Sequence, residues 1–269
     1  MEKSFLSGFR EASTECSCRY RRSRLDKPWK TRHPSTPATG NEVKPRLPPE
    51  HRRLLAILGG LYVVVWSLLA RAPHYPTDWW MENVLIFFGI GFLLITGRWF
   101  VFSKLSYTLT FVFLCLHTLG AHYTYSEVPY REWLEAVGVD APTSESVPAP
   151  DRNQFDRAIH FLYGLFITWP YREAFYYAVV PRRAFWSYLL PLSFSMATSL
   201  LYELLEWAAA IIYGGELGMA FLGTQGDIWD AHKDMLLAAI GSLLCFALML
   251  VIKLWTGRDF AREWGEKRR

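Results

Sequence analysis

The sequence predicts an all-α fold, a polytopic membrane helix bundle of about six transmembrane helices with both termini in the cytoplasm. Three observations carry this. Of the 269 residues, 51% are hydrophobic and 16% are aromatic, and they come in long blocks rather than periodic stripes. Six such blocks follow residue 53. Lys and Arg gather on alternate connections between the blocks, the asymmetry that orients a membrane protein.

Residues 1–53 hold thirteen Lys/Arg against six Asp/Glu and no periodic apolar pattern. They read as a basic, disordered cytoplasmic tail whose natural contact is anionic lipid headgroups rather than nucleic acid. The tail's Cys16 and Cys18 have no second Cys or His pair to complete a metal site, and Cys115 and Cys245 sit in apolar runs as core residues. The first apolar run opens only at Leu54, too late for a secretory signal.

The membrane domain spans 54–255, and its six expected crossings are 54–70, 82–96, 105–122, 155–169, 184–213 and 235–255. The second is short enough to be re-entrant. The fourth can reach to residue 175, and Pro191 is expected to kink the fifth. The connections 71–81, 123–154 and 214–234 are acidic. The other two, with the basic tail 256–269, carry Arg98, Lys104, Arg172, Arg182, Arg183, Lys253, Arg258 and Arg262, which places them inside. Within the long outer loop, YSEVPYREWLEAVG fits a short interfacial helix with Trp133 at headgroup depth. Trp79, Trp80 and Trp229 read as further interfacial anchors. Gly241, beside Ala238 and Ala239, marks a close helix contact in the last span.

This topology collects ionisable groups at one depth. His74, Asp78, Glu82, His117, His122, Asp156, His160, Glu203, Glu206, Asp227, Asp230, His232 and Asp234 all fall in the outer halves of the spans or at their mouths. Charged groups are costly in lipid, so they face a bundle interior or a wet cavity. Asp156 and His160 are i, i+4; Glu203 and Glu206 are i, i+3; Asp227, Asp230 and Asp234 are i, i+3, i+7. Each set shares a helix face. Asp, Glu and His at such spacings are ligands expected of a divalent metal such as Zn. The expected metal set is His117, His122, Asp156, His160, Asp227 and Asp230, with Glu203, Glu206 and Asp234 as catalytic acids or bases.

Plainer readings stand beside these. Asp156 can cap its helix and pair with Arg152 or Arg157, His160 can be an interhelical hydrogen-bonder, and Asp227 and Asp230 can serve the helix N-terminus. His74, Asp78 and His232 read as solvated loop residues. Two glutamates in mid-span have no such simple account.

FDRAIHFLYG, YELLEW and LGTQGDIWDAHKDM, in this order and layout, resemble the YjdF family of bacterial inner-membrane proteins over residues 54–255. A looser similarity is to VanZ-like proteins, through Asp156, His160 and Phe161 and through Asp230, Asp234 and Gly241. The first resemblance implies a multi-pass inner-membrane protein and no particular chemistry. The second points toward lipid or envelope components.

Three functions compete. The working expectation is a metal-dependent hydrolase of a lipid or envelope component, with membrane lipids and a small-molecule or lipid substrate as partners. A proton-coupled transporter or small-molecule binder would also bury acids and histidines, and a homodimer could supply the internal repeat this sequence lacks. A structural or assembly protein would use the cluster only to lock its helices.

Overall fold

The computed structural model describes residues 47–139, 152–215, 218 and 222–268. Most of the basic tail, with Cys16 and Cys18, lies outside them, as does part of the 123–154 loop. The described elements are α1 (Pro49–Leu69), α2 (Pro76–Thr96), α3 (Lys104–His122), α4 (Tyr130–Ala136), α5 (Phe155–Ala178), α6 (Ala184–Tyr213), α7 (Asp230–Thr256) and α8 (Phe260–Arg268). No strand occurs among them.

By length and composition, α1, α2, α3, α6 and α7 can each cross a membrane. α5 falls short of that in apolar content, because it carries Asp156, Arg157, Arg172 and Glu173. Its 24 residues still reach about 36 Å at 1.5 Å per residue, enough for a bilayer core. Its position accounts for its composition. α5 packs against α3, α6, α7 and α8, so little of it meets lipid and its polar residues face protein. α1 is the opposite case: Ile57, Leu61, Val63, Val64 and Leu68 are exposed, as a lipid-facing helix requires.

The second span is not short. α2 starts at Pro76, a favourable residue for a first helical turn, and Asp78, Trp79, Glu82 and Asn83 are buried in the bundle. Sequence alone placed Asp78 in a solvated loop and Trp79 at the membrane surface, and both are corrected here. Trp79 is 2% exposed and packs beside Trp66, whose Nε1 donates to Asn83 Oδ1 at 2.5 Å. Trp80, Trp133 and Trp229 are exposed. α4 forms within the loop stretch expected to be helical. α6 passes through Pro191 as one continuous helix.

Without a hydrophobic force between helices in lipid, close backbone approach and polar contacts hold a bundle together. α5 and α7 approach most closely at two glycines. A Cβ on Gly164 would lie 1.9 Å from Ala238 O, and one on Gly241 would lie 2.0 Å from Phe161 O. Beside this crossing, Thr168 of α5 donates to Ser242 of α7 at 2.8 Å, and Ser195 of α6 meets the same hydroxyl at 2.9 Å. Farther along, Trp169, Cys245, Phe246, Met249 and Ala261 form the apolar core.

The end of the bundle away from the acids is closed by α8. Gly265 lies against α5, where a Cβ would meet Glu173 O at 2.6 Å. Trp264 Nε1 donates to Val101 O at 2.8 Å, and its ring stacks on His51 of α1 at 5.3 Å. The beginning and end of the described chain therefore share one end of the bundle. Arg172 sends two hydrogen bonds to Asp259, at 2.6 and 2.7 Å, between the rings of Tyr176 and Tyr188. Burial alone would raise the Asp259 carboxyl, but the Arg172 hydrogen bonds and charge outweigh it and hold the group below its ordinary value.

Two expectations follow. Replacing Gly164 by Ala forces two backbones apart and costs about 2 kcal/mol or more. Gly59→Ala, which meets nothing within 4 Å, does not, and unfolding midpoints in detergent compare the two. A depressed carboxylate contributes stability fully above its unfolded pKa, and the contribution disappears as pH falls through the folded value. Wild type should therefore lose midpoint as pH drops below the ordinary Asp value of 3.8, and Asp259→Asn should flatten that part of the profile.

Candidate functional site

The opposite end of the bundle collects carboxylates and imidazoles from five helices. α2, α5 and α7 begin there, while α3 and α6 end there. The outer two or three turns of these helices place Asp78 and Glu82, Asp156 and His160, Asp230 and Asp234, His117, and Glu203 and Glu206 near one level. Each pair is three or four residues apart and shares a face of its helix.

At the centre stand Asp156, His160 and Asp234, each offering a ligand atom within 4.8 Å of the others. His160 Nε2 is 3.7 Å from Asp156 Oδ1 and 3.3 Å from Glu203 Oε1. Asp234 is 2% exposed, and its Oδ1 has no hydrogen-bond partner among the described residues. Glu206 is buried and interacts electrostatically with Asp156, Glu203, Glu82 and Asp234.

A second group adjoins it. Tyr202 of α6 donates to both oxygens of Glu82 on α2, at 3.2 and 3.0 Å. His117 Nε2 is 3.6 Å from Glu82 Oε2, and its Nδ1 is 2.6 Å from the Tyr125 hydroxyl. The chain reverses after α3 to achieve this, with Thr124 and Tyr125 at φ 52° and 54°. That left-handed conformation is strained in non-glycine residues and tends to accompany function. The Tyr125 ring folds back onto Gly120, where a Cβ would lie 2.4 Å from it.

Arginines occupy the rim. Arg152 and Asp230 form a fully buried ion pair, and Arg157 reaches Asp230 at 3.3 Å and Asp227 at 2.5 Å. Lys233 also binds Asp227, at 2.5 Å. The hydrogen bond from Lys233, then that from the Trp229 N–H, holds the Asp227 carboxyl well below the usual carboxylate range.

The sequence-derived residues thus divide. Asp156, His160, Glu203, Glu206 and Asp234 come together. His117 stands beside them on Glu82. Asp230 touches the cluster but is neutralised by Arg152 and Arg157. Asp227 is a rim ion pair, so it is not placed to join the central donors. His122 is drawn away: its Nδ1 lies 2.6 Å from Leu69 O and its ring packs against His74 and Tyr123. The arginines expected beside Asp156 serve Asp230 and Asp227 instead. Tyr202 and Tyr125 were not singled out from sequence, and Glu82 was placed at the pocket's depth but in neither the metal nor the catalytic set. Asp78 and Glu82 share the i, i+4 spacing of Asp156 and His160, a signal that could have found Glu82. Tyr125 becomes relevant only through the chain reversal.

The donor set fits a divalent cation. Two oxygens and a nitrogen suit Zn, Mn or Fe, and a tetrahedral ion with bonds near 2.05 Å holds its ligand atoms about 3.4 Å apart. Within the trio the 3.7 Å from His160 Nε2 to Asp156 Oδ1 is near that spacing, all three ligand atoms lie within 4.8 Å of one another, and the 3.3 Å contact is to Glu203 Oε1, outside the trio.

A family model described as a predicted membrane protein, DUF2238, matches residues 54–254. The chain is also 33% identical over 176 residues to the inner membrane protein YjdF of Escherichia coli (strain K12), covering 64% of this chain and 77% of that one. No solved structure matches.

Removing one partner of a buried ion pair leaves an uncompensated charge. Arg152→Ala should cost about 3 kcal/mol, the low end for such a loss because Arg157 remains near Asp230. Adding Asp230→Asn should recover part of that in chemical unfolding, and a double variant as unstable as the single one would refute the pairing.

Proposed function

We propose, for a chain that belongs to the DUF2238 family of predicted membrane proteins, that its buried acid and histidine cluster is a metal centre for hydrolysis of a lipid or envelope component. The E. coli relative is an inner membrane protein, and we place this chain in the same membrane. Arg98, Lys104, Arg182, Arg183, Lys253, Arg258 and Arg262 lie around the bundle end opposite the cluster. The positive-inside rule then puts that end in the cytoplasm and the cluster on the outer side.

The observation that carries the reading is the unspent acid around His160. Asp230 is paired with two arginines, whereas Asp156, Glu203, Glu206 and Asp234 have no Lys or Arg at ion-pair distance among the described residues, Arg152 and Arg157 acting on Asp156 and Arg157 on Asp234 only from farther away. Buried carboxylates need protons or a positive partner. Asp156, His160 and Asp234 would hold a divalent cation, with Glu203 beside His160 as a further donor or orienting group. When bound, the ion would supply Lewis-acid polarisation of a phosphoryl or carbonyl oxygen.

The chain's own groups supply the rest. Glu206, close to the donors but outside the central trio, would take the proton of the attacking water as its oxygen bonds to phosphorus or carbon, then return it to the departing oxygen. Tyr202, Glu82 and His117 would orient the polar head through hydrogen bonds. A pure helix-locking role is a poorer account, because a lock pairs its buried charges and Asp234 Oδ1 is left without a partner. Proton-coupled transport uses the same acids in protonated form, and metal analysis separates the two.

Wild type purified in detergent and dialysed against Zn, Mn and Fe should retain about one ion per chain, as a built site does. His160→Ala and Asp234→Asn should lose it at least tenfold by elemental analysis, while Asp227→Asn keeps it. Wild type without metal, or equal retention in all variants, would eliminate the metal centre and leave proton-linked transport as the better reading.

A further inference from the structure

The cluster does not end in a closed pocket. It continues into a cavity of about 570 Å³, within the usual range for ligand sites. α2 and α6 form its walls, and α3 and α5 its floor. At one end it is lined by His117, Tyr125, Asp156, His160 and Tyr202. The remainder is apolar and aromatic, with Leu85, Phe92, Phe113, Ile167 and Phe194 among its lining. Midway, the Tyr163 hydroxyl bonds to Tyr171 at 2.8 Å and to Thr198. These groups satisfy one another, while the Ser199 hydroxyl, also on the lining, has no hydrogen-bond partner among the described residues.

The cavity opens sideways. Phe88, Phe92 and Phe194 on its walls are 75%, 55% and 44% exposed, and they sit on membrane-crossing helices. At the polar end, the Tyr202–Glu82 hydrogen bonds join the two walls. A ligand therefore enters from the hydrocarbon side, with its apolar part along the groove and its polar part against the cluster. Few molecules other than a lipid match both halves of such a cavity.

We propose that the groove seats the hydrocarbon chain of a phosphate-headed membrane lipid whose head reaches the His160 cluster. The phosphate assignment rests on the metal reading above, because bare carboxylates repel a phosphate and a cation between them makes the same surface attractive. The groove also accounts for an otherwise idle feature of α2: Gly89 lines it and has nothing within 4 Å of an added Cβ, so a larger side chain there enters the cavity without striking backbone.

The test uses delipidated full-length protein loaded with the metal found by elemental analysis. Oleoyl lysophosphatidate is titrated by intrinsic fluorescence, beside oleoylglycerol, which lacks the phosphate, and glycerol phosphate, which lacks the chain. Lysophosphatidate should bind at least tenfold tighter than either fragment. Gly89→Phe and Ala174→Trp, which fill the groove from the α2 wall and from the α5 floor, should each weaken it at least tenfold while keeping the wild-type metal content and unfolding midpoint. Unchanged affinity in both variants, or equal binding of lysophosphatidate and oleoylglycerol, would overturn the proposal. Groove-dependent preference for lysophosphatidate in a wild type that holds no metal would support the lipid site and remove the metal reading alone.

Discussion

The approach of α5 to α7 at Gly164 and Gly241 is the contact on which the rest of the molecule depends. The two helices run in the same direction, and the missing side chains let their backbones touch. Four residues before Gly164 comes His160. Four residues before Ala238, the carbonyl that Gly164 meets, comes Asp234. One contact register therefore sets imidazole against carboxylate one turn farther out. α6 then closes on both helices through Ser195 and Ser242, which carries Glu203 to the same level. A larger residue at either glycine would separate donors that sit four residues away from it.

The two ends of the bundle handle buried charge differently. At one end Arg172 is held by both oxygens of Asp259 and by two tyrosine rings, and Glu173 accepts from Trp169 and from the Ser103 N–H. Arg172 there has a charge partner and Glu173 has two hydrogen-bond donors, while Arg172 Nε and both His51 ring nitrogens have no hydrogen-bond partner among the described residues. At the other end Arg152 and Arg157 balance Asp230 and Asp227, and the remaining acids face two imidazoles. The two ends differ in how many carboxylates they gather: one sets Asp259 on Arg172, the other sets several around two histidines.

Much of this was legible in the sequence, because it follows from local spacing. The spans rest on long apolar blocks, the acids and histidines at one depth on topology and helical spacing, and the close contact at Gly241 on the small residues beside it. What sequence did not reveal depends on which faces meet. Gly164 had no separate signal until its partner was known, and Glu82 needed Tyr202 on another helix. His122 and Asp227 share the right depth but are captured by Leu69 O and by Arg157 and Lys233. Asp78 and Trp79 looked like a loop because their burial is conferred by neighbours. α5 was legible as a span from the apolar stretch 155–169, although the full helix carries charged residues near both ends that record contact with protein.

That last feature bears on how the chain is made. An apolar segment can leave the insertion machinery and settle into lipid alone, but α5 brings charged residues near both ends. Its shelter comes from α3, already synthesised, and from α6, α7 and α8, which emerge later. The most central helix is therefore the one least able to wait by itself in the bilayer. A chain cut short before α7 would leave Asp156, His160 and Arg172 without α7 and α8 packed beside them, so α5 reaches its settled environment only when the last helices are in place.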